Sequence, residues 1–289
     1  MNNVLDQVHQ IVIVGTGLEG ASIGLGLKAG GFAGRIVGVG RRMQTVNRAR
    51  ELGCIDEATT DLSAVVGESQ LVILAVPLGA FAAVFAQLAD CVHDRLIITD
   101  VGSTKMKVCE LAKQHLPDVR QFVGSHPMAG NEQRGPDAAR ADLFANKPCI
   151  ITPEDNTDPK ALGVVESLWE MLGMSLIRMS AQEHDRQAAI ISHLPHVAAV
   201  LLVQVAAEQG GWELASTGFG DTTRLASSNP PMRADILVAN RKPIIEALAA
   251  LRDQLDHFHQ LLGSADHDAL LQVLTEAKKV REAWLDHQK

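Results

Sequence analysis

Several groups of residues in this 289-residue chain have types and spacings suited to chemistry. Gly15-Thr16-Gly17-Leu18-Glu19-Gly20 follows the G-x-G-x-x-G spacing. In that pattern the first glycine permits a tight turn, the second lets backbone approach a pyrophosphate, and the third lets a helix pack closely on a strand. Gly38-Val39-Gly40-Arg41-Arg42 stands where an NAD-binding chain normally places an acid. With no carboxylate there, Gly40 leaves room and Arg41 and Arg42 supply positive charge for a 2′-phosphate, so NADP is favoured over NAD. If the two arginines only face solvent at a helix start, use of both dinucleotides is expected. His126, in Ser125-His126-Pro127, is the candidate general base, because a neutral imidazole with a pKa of about 6.5 accepts a proton at cellular pH. His193 and His196 lie three apart around Pro195 and share one face if helical. Their spacing is not H-E-x-x-H and no further ligand cluster accompanies them, so no metal site is expected.

Strands and helices alternate around these residues. Strands are expected at 10–14, 35–39, 71–76, 96–100 and 121–124, with a helix opening directly after the glycine turn. This pattern predicts a Rossmann-type, doubly wound parallel sheet of the α/β class. The apolar run Leu71 to Val76 has no polar alternation, as a central strand covered on both faces requires, and Pro77 ends it. Ligands in such sheets bind beyond the carboxyl ends of the strands, so Val76 and Pro77, the Asp100-Val101-Gly102-Ser103 turn and the His126 turn should face the cofactor. Strands at 149–152 and 175–179 extend the sheet. Ser180-Ala181-Gln182-Glu183 then has the spacing of a capping box and opens a run of helices. The expected division is a dinucleotide-binding domain over residues 1–179 and an all-helical substrate-binding and dimerisation domain over 180–289.

Composition narrows the function. The net charge of -8 argues against general affinity for nucleic acid or an anionic membrane, since both need a basic face. The start of the chain has polar residues where a signal peptide would be basic and then apolar, so a cytoplasmic location is expected. The most apolar segment, Ala188 to Ala207, is interrupted by His193, Pro195, His196 and Gln204 and reads as a buried domain helix rather than a membrane span. The four cysteines, at 54, 91, 109 and 149, form no C-x-x-C pair and read as core residues or free thiols.

Five blocks together resemble the prephenate/arogenate dehydrogenase family over nearly the whole chain. They are Asp56-Glu57-Ala58-Thr59, Asp100-Val101-Gly102-Ser103, Gly124-Ser125-His126-Pro127-Met128-Ala129-Gly130, Ser192-His193-Leu194-Pro195-His196, and Gly218-Phe219-Gly220-Asp221-Thr222-Thr223-Arg224. The resemblance implies an NADP- or NAD-dependent oxidative decarboxylation in tyrosine biosynthesis, carried out by a homodimer joined through the helical domain. It assigns His126 as base and Ser103 as its hydrogen-bond partner, and places His196 on the substrate. Arg224 would bind substrate carboxylate, oriented by Asp221, while His193 is structural. Two departures bear on recognition of the substrate side chain: Asn131-Glu132 follows the His126 block, and Arg233 occupies a neighbourhood often held by an aromatic residue. A β-hydroxyacid dehydrogenase would need a lysine in the helical domain, but none occurs between Lys160 and Lys242. A non-catalytic dinucleotide sensor is the remaining alternative.

Overall fold

A computed structural model describes residues 4–130 and 133–286. Asn131 and Glu132, expected at the substrate, lie outside the described residues. The sheet strands are β1 (Gln10–Val14), β2 (Arg35–Val39), β3 (Glu57–Thr59), β4 (Leu71–Leu74), β5 (Ile97–Asp100), β6 (Phe122–Pro127), β7 (Pro148–Thr152) and β8 (Ser175–Arg178). They form one sheet in the order β3-β2-β1-β4-β5-β6-β7-β8. The chain runs outward from β1 to β3 and then crosses back to β4. That reversal opens a ligand crevice at the carboxyl ends of β1 and β4.

Helices α1 (Leu18–Ala29), α2 (Met43–Glu51), α3 (Ser63–Val66), α4 (Phe81–Ala89), α5 (Met106–His115) and α6 (Pro159–Met171) connect the strands. Strand alternation divides the core into two layers. Ile11, Ile13, Leu71 and Ile73 pack with Ile23 and Leu27 of α1 and with Leu168 and Trp169 of α6. Val12, Val14, Val72 and Leu74 pack instead with Phe81 and Phe85 of α4 and with Val108 and Ala112 of α5. Both faces of the central strands are therefore covered, as their continuous apolar sequence requires.

The sheet departs from the sequence expectation in three places. β3 is an additional short edge strand, paired in parallel with β2. β6 continues past Gly124 through His126 to Pro127, because β7 pairs with it antiparallel, opposing His126 to Ile150 and Pro127 to Cys149. The sheet is thus mixed, with β7 and β8 running against the other six strands.

After β8 the chain is helical: α7 (Ala181–Ala188), a π-turn at Ala189–His193, α8 (Leu194–Gln209), α9 (Thr217–Thr223), α10 (Pro230–Ala239), α11 (Arg241–Gly263) and α12 (His267–Asp286). Ser180 caps α7, its side chain accepting from the Glu183 amide at 3.1 Å. Pro195 lacks the N–H that a regular α-helix would use, and the wider π-turn lies immediately before it. By compactness the chain divides into residues 1–241 and 242–289. Within the second unit, α12 leaves Leu271, Leu274, Val280 and Trp284 exposed. The continuous helix Ala181–Gln209 is long and apolar enough to cross a membrane by length and composition. It is not the buried helix expected from sequence: only 28% of its apolar window is buried, and Leu201, Leu202 and Val205 face outward.

Candidate active site

The glycine turn joins β1 to α1 with little freedom for larger residues. Gly15 has φ of 99°, and a Cβ there would lie 2.2 Å from the Ala75 carbonyl oxygen; one on Gly20 would lie 1.9 Å from the Gly15 oxygen. Packing within the protein therefore accounts for both. Gly17 differs, because a Cβ there would meet nothing within 4 Å. Its open side is where a pyrophosphate can approach the N-terminus of α1, so the turn fits a dinucleotide. Thr16, 3% exposed, has a hydroxyl with no hydrogen-bond partner, and that oxygen lies 3.9 Å from the Cβ position of Gly40 at the end of β2. A buried hydroxyl left unpaired beside the expected ribose position is a second feature that a dinucleotide would satisfy. Leu18 is buried, Val76 and Glu19 are half-buried, and Pro77, Arg41 and Arg42 are exposed. The Glu19 carboxylate lies 3.4 Å from the Cβ position of Gly130, and burial raises its pKa to about 7.

Strand alternation fixes the orientation of His126. Ser125 points toward α6, where Trp169 Nε1 donates to its hydroxyl at 3.0 Å. His126 consequently faces α5 and α7. Its Nδ1 lies 2.8 Å from Nε2 of His184, and His184 Nδ1 lies 2.7 Å from Oδ1 of Asp185. Asp185 also caps α5, accepting from the backbone N–H of Lys105 at 2.7 Å and of Met106 at 3.0 Å.

These contacts determine the tautomers. A carboxylate can only accept, so His184 Nδ1 carries the proton facing Asp185, and Nε2 of neutral His184 is an acceptor. His126 Nδ1 must then donate to it, which leaves Nε2 of His126 with a lone pair. Burial foremost, then the charges of His184, Lys105 and His193, push the His126 pKa well below 6.5, so it rests as a neutral base. The strand end beneath it is held by a fully buried ion pair between Lys105 and Asp100, with Lys105 Nζ also donating to the Ser125 carbonyl at 2.6 Å. Asp100 in turn accepts from the Ser125 and Gly102 amides at 3.0 and 2.8 Å.

A second group lies on the helical segments of the same unit. His193 is 1% exposed; Asn240 Nδ2 donates to its Nδ1 at 3.0 Å and to the Asp185 carbonyl at 2.8 Å. Burial lowers the His193 pKa to about 4. His196 is 6% exposed, and neither ring nitrogen has a hydrogen-bond partner. Burial lowers its pKa, and the neighbouring charge of Arg233 lowers it further.

Two contacts expected from sequence are not formed. Among the described residues Ser103 makes no hydrogen bond to His126, whose Nδ1 is engaged by His184; Ser103 lies half-buried in the turn between β5 and α5. Among the described residues no ion pair joins Asp221 to Arg224, which is engaged elsewhere. Both are exposed, and the pair straddles the junction where α9 gives way to a 3₁₀ turn, Arg224–Ser227, so the two do not share one regular helix. That turn packs against α8, the helix carrying His196. Sequence reading missed His184, Asp185, Lys105 and Asn240. The available signal was periodicity: His184, Asp185 and Ala188 share the buried face of α7, and polar residues on such a face are unusual.

A doubly wound sheet with an open glycine turn at its switch point, and a buried histidine at a neighbouring strand end whose Nε2 is left as a free acceptor, fit the class of nicotinamide-dependent dehydrogenases. The family model for the prephenate dehydrogenase nucleotide-binding domain matches residues 23–178, and that for the prephenate dehydrogenase dimerization domain matches residues 180–276. The chain belongs to the prephenate dehydrogenase family. It is 35% identical to the prephenate dehydrogenase of Bacillus subtilis over 98% of this chain and 77% of that protein. It is likewise 35% identical to the cyclohexadienyl dehydrogenase of Zymomonas mobilis, over 94% of this chain and 95% of the other. Among solved structures, prephenate dehydrogenase from Aquifex aeolicus in complex with hydroxyphenyl propionate and NAD+ is similar with a TM-score of 0.90 and 32% identity. That match covers 95% of this chain and 98% of the other.

Proposed function

We propose that this protein catalyses the oxidative decarboxylation of prephenate, arogenate or both, in the cytoplasm as a step of tyrosine biosynthesis. The observation that carries this reading is the Asp185–His184–His126 relay, which presents an unprotonated Nε2 at the end of β6. The substrate ring loses hydride from C4 and its ring carboxylate departs as carbon dioxide, and aromatisation drives the step. His126 Nε2 takes the C4 hydroxyl proton as hydride and carbon dioxide depart, and returns it to the phenolate oxygen of the aromatised product. As imidazolium forms, Nδ1–H continues to donate to His184, and the Asp185 carboxylate stabilises the added charge through that ring. The bound nicotinamide supplies the hydride acceptor; Gly15 to Gly20 would hold its pyrophosphate, with Val76 and Pro77 beside it. Ser103, on the turn after β5, would hydrogen-bond the substrate hydroxyl. Arg224 would supply a bidentate donor for a substrate carboxylate, and the sequence assigns Asp221, Asn131 and Glu132 to substrate binding as well.

NADP is the preferred dinucleotide in this reading. Exposed Arg41 and Arg42 follow Gly40 with no acid at the strand end, and the unpaired Thr16 hydroxyl lies beneath Gly40. The working form is a homodimer, which covers the outward apolar face of α8. The test is the rise in reduced-nicotinamide absorbance with prephenate, arogenate and a simple 3-hydroxyacid, each with NADP and with NAD, in the parent and in Arg41→Ala and Arg42→Ala. Turnover of prephenate or arogenate is expected, with kcat/KM for NADP falling selectively in at least one arginine variant. Turnover of the hydroxyacid alone would overturn the reaction assigned; better use of NAD, with neither variant affecting NADP selectively, would overturn the cofactor preference.

A further inference from the structure

Arg233 is a half-buried cation without an anion. It lies on α10, and among the described residues no carboxylate forms an ion pair with it; burial alone perturbs it, lowering its pKa, and no acidic group pulls the other way. Its Nε is buried and has no hydrogen-bond partner. A guanidinium stays protonated even so, and an uncompensated charge removed from water is costly unless a ligand pairs with it. Its charge acts on two neighbouring imidazoles, lowering the pKa of His196 and, directly, that of His193. His196 adds two ring nitrogens that are themselves buried and unpaired. A buried imidazole with both ring nitrogens unpaired and a guanidinium with a buried, unpaired Nε, the second close enough for its charge to act on the first, offer hydrogen-bond donors for an anion such as a carboxylate.

We infer that Arg233, together with His196, binds the side-chain carboxylate of the substrate and makes the enzyme selective for a 2-oxo acid side chain over an amino acid side chain. This inference rests on the reaction proposed above and adds the choice of substrate to it. A pyruvyl side chain brings only negative charge and a carbonyl acceptor to this corner. An alanyl side chain brings an ammonium group beside the same carboxylate, and a cation next to Arg233 has no acid to offset it. Discrimination arises as much from that repulsion as from the attraction. Arg233 is therefore a specificity-determining residue, and its role is separable from proton transfer at His126.

The experiment measures binding to the dinucleotide-loaded protein by calorimetry, using 4-hydroxyphenylpyruvate and L-tyrosine. These ligands keep the two side chains and lack the ring carboxylate, so they report on the side-chain end alone. The parent should bind the oxo acid more tightly. Arg233→Gln should weaken the oxo acid by about 30-fold or more while changing tyrosine by a few fold at most, and Arg233→Lys should fall between parent and Gln. The kcat/KM ratio of prephenate to arogenate should narrow in step. Equal losses for both ligands, or no loss for either, would overturn the inference. Dinucleotide affinity checks that the Gln variant is folded; if it is not, the Lys variant decides by the same ratio. A parent that oxidises neither prephenate nor arogenate removes the proposed reaction and this inference with it. A parent that oxidises them with no selective effect at Arg233 removes only the inference.

Discussion

Replacing Glu19 by Gln separates the cost of burying a carboxylate from the benefits of the glycine turn. Glu19 lies in the first turn of α1, where free N–H groups favour negative charge. Desolvation nonetheless wins, raising its pKa from 4.5 to about 7. A folded-state pKa above the unfolded value means that the folded chain holds a proton the unfolded chain has already released. The associated stability is complete below pH 4.5 and is lost as pH rises through 7. The difference between 4.5 and 7 corresponds to about 3 kcal/mol, an upper figure because the carboxyl keeps partial contact with solvent. Gln has nearly the same shape and cannot ionise. Urea unfolding at fixed protein concentration should show the stabilisation by Glu19→Gln to be about 2 kcal/mol larger at pH 8 than at pH 5. Equal effects at the two pH values would refute ionisation as the source. The same charge opposes the phosphates of a bound dinucleotide, so Kd should rise as pH passes 7 in the parent and stay level in the variant.

His126→Asn should lower kcat by roughly 10²- to 10⁴-fold with dinucleotide affinity unchanged, and near-normal turnover would remove His126 from the mechanism. Because the base must be unprotonated and its pKa lies well below 6.5, the parent's kcat/KM should hold level as pH falls to 6.5 and decline only below that; a decline beginning near pH 7.5 would contradict the burial argument. His184→Phe leaves Nδ1–H of His126 without an acceptor and should cut kcat by about 10²-fold or more at little cost in melting temperature, whereas Asp185→Asn sets a donor against one of the two backbone amides it caps and should lower both. A drop in Tm for both variants alike would make the relay structural. Val205→Glu, on the outward face of α8, should convert the dimer to a concentration-dependent mixture by light scattering; an unchanged mass would place the interface elsewhere.

The first half of the fold was legible because each signal was local. β1, the glycine turn and α1 lie within twenty consecutive residues, and β2 has the bounds expected of it. What escaped depended on distant partners. Three-residue β3 has no periodicity of its own and exists through its pairing with β2. Pro127 looks like a strand terminator, yet β6 includes it because proline can occupy a position whose N–H is not needed, and β7 supplies the opposing backbone. The antiparallel turn of the sheet, invisible in a strand–helix alternation, is what carries His126 inside a strand rather than in the loop beyond one.

The candidate site divides along the same line. His126 and His196 could be singled out from sequence because imidazoles in short blocks advertise chemistry, and Arg233 beside His196 was legible too, but the groups that order His126 were not. His184 and Asp185 directly follow the N-terminal turn that Ser180 caps, whose Glu183 side chain pairs with Arg186 and Gln187, so nothing local marks the next two residues as more than helix. Their meaning comes from α7 packing on the N-terminus of α5, where one carboxylate both closes the orphan amides of Lys105 and Met106 and orders two imidazoles in series. That shared use ties the chemistry to the packing. His126 is buried enough to rest unprotonated, and in the proposed reaction the carboxylate that would offset an added proton, across His184, is the same one that joins α7 to the N-terminus of α5.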